Sequence, residues 1–182
     1  MSEKMAQKRG FVHIYAGDGK GKSTAACGLA VRAAGRDWRV LFVQFIKSGN
    51  SAELKTLRAL PTVEVISGQS INKFTFHMSP EELAAARKEC QERLATAAAR
   101  AAAGEVDLLV LDEALGAMNA GLLSEAELVQ AIEARAPEVE LVLTGRGPTE
   151  KLIELADYYS EVCERKHPYR TEGQNARPGI EF

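Results

Sequence analysis

Ala16-Gly17-Asp18-Gly19-Lys20-Gly21-Lys22-Ser23-Thr24 decides how this chain is read. The stretch follows a short apolar run, Phe11-Val12-His13-Ile14-Tyr15, and precedes an alanine-rich helical pattern that Gly35 stops. Strand, glycine loop and helix in that order make a nucleotide-binding P-loop. Its backbone N–H groups and the following helix N-terminus cradle phosphates. The general form is G-x-x-x-x-G-K-[ST], with the lysine on the phosphates and the hydroxyl on a metal ion. Gly21-Lys22-Ser23 is intact, but Ala16 stands where the first glycine belongs, and Gly19 and Lys20 enrich the loop. Gly17, Asp18, Gly19, Lys20, Gly21, Lys22, Ser23 and Thr24 are therefore the expected nucleotide-binding residues. Lys22 is expected on the phosphates, Lys20 as a second cation and Ser23 as a metal ligand.

The pattern continues outward as strand and helix units. Arg39–Phe45 is a strand whose continuously apolar middle suits a sheet covered on both faces. A helix over Ser51–Ala59 and a short strand, Val63–Ile66, follow, then a polar and aromatic loop to His77. Ser79, Pro80 and Glu82 form a capping box with a first-turn proline. They open a long helix with Leu83, Cys90, Leu94, Ala97 and Ala101 on one face, ended by Gly104. Leu108–Leu111 is a buried strand running into Asp112-Glu113. Ser124 and Glu127 cap a helix that ends before Pro137. A strand (Glu140–Thr144), a short helix (Glu150–Ala156), a strand near Tyr159–Cys163 and an irregular tail from Lys166 complete the chain. This alternation predicts an α/β fold: a single P-loop NTPase-like domain over residues 10–182, after a flexible tail of residues 1–9. Its sheet is open and mostly parallel, with helices on both faces. Ligands of such sheets bind at the carboxyl ends of the strands. The P-loop, Gln44–Lys47, Asp112-Glu113 and Thr144-Gly145-Arg146 then share one rim.

The bulk properties narrow the class. The 182 residues suit one domain with one core. A net charge of -2 argues against a nucleic-acid partner. The apolar runs are strand-length, which argues against a membrane span, and the polar N-terminus carries no secretory signal. Cys27, Cys90 and Cys163 lack a C-x-x-C pair and read as buried, reduced thiols of a cytoplasmic protein. No G-x-S-x-G, H-E-x-x-H or kinase catalytic loop is present, so no protein nucleophile with its own base is expected.

Three further clusters carry chemistry. Leu108–Glu113 is an apolar strand ending in acids, where Asp112 or Glu113 would hold a metal directly or through water; the spacing does not choose between them. Arg146 places a guanidinium suited to multidentate phosphate contacts on the same rim. Phe74 and Phe76, two residues apart, would share one face of a strand, and by pattern alone read as core plugs.

Ala-Gly-Asp-Gly-Lys-Gly-Lys-Ser-Thr at 16–24 is followed by Val-Gln-Phe-Ile-Lys at 43–47, Phe-Thr-Phe at 74–76 and Leu-Asp-Glu at 111–113. Leu-Thr-Gly-Arg at 143–146, Ala-Asp at 156–157, Lys-His at 166–167 and Gly-Ile-Glu at 179–181 complete the series. In this order they resemble the P-loop type of ATP:corrinoid adenosyltransferase, from Gly10 to Phe182, and the loop lacking its first glycine is a trait of that family. The resemblance implies transfer of the 5′-deoxyadenosyl group of ATP to the Co(I) of a corrinoid, cobalamin or cobinamide, with release of triphosphate. It implies Mg2+ or Mn2+ with the nucleotide, an external electron donor such as reduced flavodoxin, and a homodimer. It casts Lys22, Phe74 and Phe76 as catalytic, the two aromatics by displacing the lower axial ligand of cobalt. It also orders a tail matching Arg177–Glu181 near the site. Two alternatives stand beside it: an ordinary P-loop NTPase or kinase, and a non-catalytic ATP- or corrinoid-binding carrier or sensor.

Overall fold

The computed structural model describes residues 9–46, 51–68 and 77–180. In chain order the elements are β1 (Val12–Ala16), α1 (Lys22–Ala34), β2 (Val40–Gln44), α2 (Ala52–Arg58), β3 (Val63–Ser67) and α3 (Pro80–Ala102). They continue as β4 (Leu108–Asp112), α4 (Ala114–Asn119), α5 (Glu125–Ala134), β5 (Glu140–Thr144), α6 (Glu150–Leu155), β6 (Tyr158–Glu161) and α7 (Pro168–Glu172). The six strands form one sheet in the order β3-β2-β4-β5-β1-β6, and every pairing is parallel.

Because successive strand residues point to opposite faces, the apolar strands supply two cores. Val40, Phe42, Leu108, Val110 and Val142 face one layer, where they meet Ala26, Ala30 and Ala33 of α1 and Leu54 and Leu57 of α2. Leu41, Val43, Leu109, Leu111, Leu141 and Leu143 face the other, against Cys90, Leu94, Ala97 and Ala101 of α3 and Leu128 and Ile132 of α5. β2 and β4 are buried at all five positions, which explains their unbroken apolar sequence. Both capping boxes form. The Ser79 and Ser124 hydroxyls accept the Glu82 and Glu127 N–H groups, and each glutamate reaches back to the cap backbone. The common parallel direction sends all strand carboxyl ends to one edge of the sheet.

Several expectations need correction. The helix α4, directly after the acids, has no capping signal and went unread in the sequence. The tail expected to be irregular contains α7, whose first turn is set by Pro168 behind the His167 cap. Only Cys90 is a buried thiol, its pKa pushed up by burial; Cys27 is half-buried, and Cys163 is exposed beyond the edge strand β6. The expected tail of residues 1–9 lies, but for Arg9, outside the described residues.

Gly28 lies inside α1 with nothing within 4 Å of where a Cβ would sit, and it does not take up a left-handed φ. A methyl group there removes unfolded-state freedom without a clash. Gly28→Ala is therefore expected to raise stability by about 0.5–1 kcal/mol, read as a higher denaturation midpoint; a lower midpoint would contradict the packing described for α1.

Candidate active site

The turn that the sequence pattern places at Ala16 is shifted by one residue. Ala16 is fully buried and is the last residue of β1, in register with Glu161 of β6. The chain turns at Gly17, which has φ 115°. A Cβ at Gly17 would drive into the Val162 carbonyl, and one at Gly19 would sit 2.7 Å from the same oxygen. That carbonyl accepts the Gly19 N–H at 2.7 Å, and the Val162 N–H donates to the Ala16 carbonyl at 2.7 Å. The loop is thus built against the segment after β6, and an alanine fits at position 16 because close approach is needed only afterwards. Asp18 serves the same joint: its carboxylate accepts the Glu164 N–H at 3.0 Å, which holds its pKa below the usual carboxylate range. Arg146 touches the loop from β5, its Nη2 donating to the Asp18 carbonyl at 3.4 Å.

Lys22 is 8% exposed, and its Nζ donates to the Gly19 carbonyl at 2.7 Å. The ammonium is folded over the loop, where a phosphate chain would lie along the N-terminus of α1. Lys20, Gly21, Lys22, Ser23 and Thr24 line a cleft of about 470 Å³, closed by Glu53 and Thr56 of α2, Glu113, and Gly179 and Ile180 of the tail. A second cleft of about 570 Å³ shares Lys20 and runs along Cys163–Tyr169 and Gln174–Arg177. Tail residues therefore border both clefts.

The two acids have different surroundings. Asp112 is fully buried. Its Oδ1 accepts the Thr144 hydroxyl at 2.8 Å, and its Oδ2 accepts the Gln44 Nε2 at 3.1 Å. The Thr144 oxygen in turn accepts the Glu113 N–H at 2.9 Å. Glu113 takes φ 60°, a left-handed conformation that costs a non-glycine residue free energy, and its position borders the P-loop cleft. Strain of this kind concentrates at functional positions. Oxygen donors are what Mg2+ and Mn2+ accept, and Mg2+ is typically held by one or two carboxylates together with phosphate oxygens. Ser23, Asp112 and Glu113 fit that chemistry. Among the described residues no three His, Cys, Asp or Glu side chains converge on a metal cage, so the cation's remaining ligands would come from phosphate and water.

The structure brings the P-loop, Asp112-Glu113 and Arg146 to one rim. Phe74, Phe76 and Lys47 lie outside the described residues. Three contributors were not singled out from the sequence. Gln44 and Thr144 orient Asp112, although both belong to clusters that topology placed on the rim. Arg93 of α3 is 8% exposed and donates to the Gln44 carbonyl at 2.6 Å. An arginine on the otherwise alanine-rich face of α3 is the signal that marks it.

Among the described residues no helix is long and apolar enough to cross a membrane. A family profile described as ATP:corrinoid adenosyltransferase BtuR/CobO/CobP matches residues 8–182. The chain is 34% identical to a corrinoid adenosyltransferase of Pseudomonas aeruginosa, over 100% of this chain and 90% of that protein. It is 33% identical to a corrinoid adenosyltransferase of Escherichia coli, over 96% of this chain and 87% of that one. An uncharacterized Nostoc protein is 34% identical over 90% of this chain, which spans 46% of that relative. With a profile match over almost its whole length and relatives of this identity and coverage, the chain belongs to the ATP:corrinoid adenosyltransferase family.

Proposed function

We propose that the P-loop cleft binds ATP with its triphosphate as the leaving group, and that the chain transfers the 5′-deoxyadenosyl group to the Co(I) of a bound corrinoid, cobalamin or cobinamide. The observation that carries this reading is the convergence of Lys22, Ser23 and Glu113 on one cleft, with buried Asp112 behind it, in a chain of this family.

The corrinoid's Co(I) donates an electron pair to C5′, the cobalt–carbon bond forms, and the C5′–O bond breaks with its pair leaving on triphosphate. Such a nucleophile needs no proton removed, so the protein's task is alignment and charge stabilisation. Lys22 and Lys20 set positive charge beside the loop, and the N–H groups at the start of α1 face the same phosphates. Gly17, Asp18 and Gly19 hold the loop's shape against residues 162–164, while Gly21, Ser23 and Thr24 line the phosphate path. Arg146 steadies the loop through the Asp18 carbonyl. Ser23, Asp112 and Glu113 would hold Mg2+ or Mn2+, which supplies further charge neutralisation on the triphosphate. Glu113, bordering the cleft, is the acid placed for direct contact; Asp112, doubly hydrogen-bonded, acts from behind it.

Phe74 and Phe76 are assigned to the corrinoid side through the family resemblance. The same resemblance supports an external electron donor such as reduced flavodoxin and a homodimer, while the three cysteines without a C-x-x-C pair support a cytoplasmic setting. Ion-exchange analysis of the phosphate products tests the reading. Triphosphate in equal amount to alkylated corrinoid is expected; ADP would instead mark an ordinary NTPase, with inorganic phosphate, or a kinase, with the phosphate on an acceptor.

A further inference from the structure

Gln44 closes β2 beside Asp112, its register partner on β4, and is fully buried. Its Nε2 donates to Asp112 Oδ2 at 3.1 Å. That bond fixes the amide's orientation, because the flipped amide would set Oε1 against a carboxylate oxygen. Oε1 is therefore held as a buried acceptor with no hydrogen-bond partner. Groups of this kind are rare in folded proteins and often mark a bound water, an ion or a functional role.

The backbone here is pinned, so the orphan oxygen cannot easily relax. Arg93 Nη1 holds the Gln44 carbonyl at 2.6 Å, and its guanidinium lies 5.6 Å from the Phe45 ring centre. The Phe45 N–H donates to the Asp112 carbonyl at 3.0 Å. Asp112 continues the chain of hydrogen bonds through the Thr144 hydroxyl to the Glu113 N–H. A connected series thus crosses the ends of β2, β4 and β5 and ends at the acid bordering the P-loop cleft. Its missing member is a donor for Gln44 Oε1.

Strand order limits what that donor can be. Three strand spacings separate β2 from β1, which ends at the P-loop, about 14 Å across the sheet. That spacing favours contact through water in the cation's coordination sphere over direct ligation of a cation seated on Ser23. Mg2+ keeps several of its waters when protein-bound, and these are strong donors. We infer that Gln44 is a positioning residue for the divalent cation. Its Oε1 accepts a hydrogen bond from a cation-bound water, while its Nε2 fixes the Asp112 carboxylate. The inference rests on the reading above that Ser23, Asp112 and Glu113 hold the cation.

Gln44→Met keeps the length and volume of the side chain but removes both polar groups. Mn2+ binding to the protein–ATP complex, followed by electron paramagnetic resonance, reads the effect without turnover. The expected result is about tenfold weaker Mn2+ affinity in the ternary complex, with ATP affinity in EDTA unchanged. Gln44→Asn, which keeps an amide but withdraws its oxygen by one methylene, should shift Mn2+ affinity in the same direction and guards against a folding failure of the Met variant. Wild-type Mn2+ affinity in both variants would overturn the inference, as would equal weakening of Mn2+ and of metal-free ATP. Ser23→Ala separates the two levels. If it too leaves Mn2+ affinity unchanged, the metal site itself is misassigned and the inference falls with it; if it weakens Mn2+ while the Gln44 variants do not, only the role of Gln44 fails.

Discussion

Lys22→Ala is expected to lower turnover with pre-reduced corrinoid by roughly 10²-fold or more, with little change in thermal midpoint. The ammonium is buried at the loop and hydrogen-bonded to the Gly19 carbonyl, so it is held beside the cleft in which the proposed reaction develops triphosphate charge. Charge stabilisation that needs no rearrangement at the moment of reaction is the kind that lowers a barrier most. Steady-state kinetics check this, and the loss should appear in kcat as well as kcat/KM. A variant whose kcat is retained and whose KM alone rises would show that Lys22 contributes only to binding ATP, and turnover near wild type would remove Lys22 from the chemistry.

Gly17→Ala is expected to cost about 3 kcal/mol of stability and to abolish measurable ATP binding. Two physical costs coincide at this position. The φ of 115° is one that side-chain-bearing residues rarely adopt, and the new methyl meets the Val162 carbonyl. That carbonyl cannot step aside without giving up its bond from the Gly19 N–H, and Val162 is also tied to Ala16. The substitution therefore either lifts the loop off the segment after β6 or pulls β6 from β1. Chemical denaturation and nucleotide titration read the two losses separately. A Gly17→Ala protein that binds ATP normally would contradict the loop geometry described here. Ala16→Gly makes a useful contrast: the position lies in regular strand, so repairing this chain's departure from the P-loop pattern should bring no gain in binding.

Much of the architecture was legible in the sequence because its signals are local. The apolar runs of β2, β4 and β5, the two capping boxes and the glycine loop each act within a few residues, and the parallel topology follows from their alternation. Asp112 and Glu113 were legible as a pair. Their different surroundings were not, since these depend on Thr144, which lies 32 residues from Asp112, and on Gln44, which lies 68 residues from it. The joint between the P-loop and residues 162–164 was hidden for the same reason: the bond from Glu164 to Asp18 spans 146 residues. Asp18 therefore read as one more loop residue, although its carboxylate ties the loop to the chain after β6. Helix α4 was missed because its N-cap, Glu113, is held by a left-handed backbone and the Thr144 hydroxyl instead of a Ser, Thr, Asp or Asn cap. Ala16 is the reverse case. An apparent defect in the motif is simply the last residue of a strand, with the glycine that the turn requires one position later.

Triphosphate departure from this loop is checked by mixing the protein with ATP, Mg2+ and chemically reduced cob(I)alamin under strictly anaerobic conditions, then recording the corrinoid spectrum before and after illumination. A light-labile alkylcobalamin spectrum, forming only when ATP and protein are both present, is the predicted result. ATP consumed to ADP with no cobalt–carbon product from either cobalamin or cobinamide would contradict it.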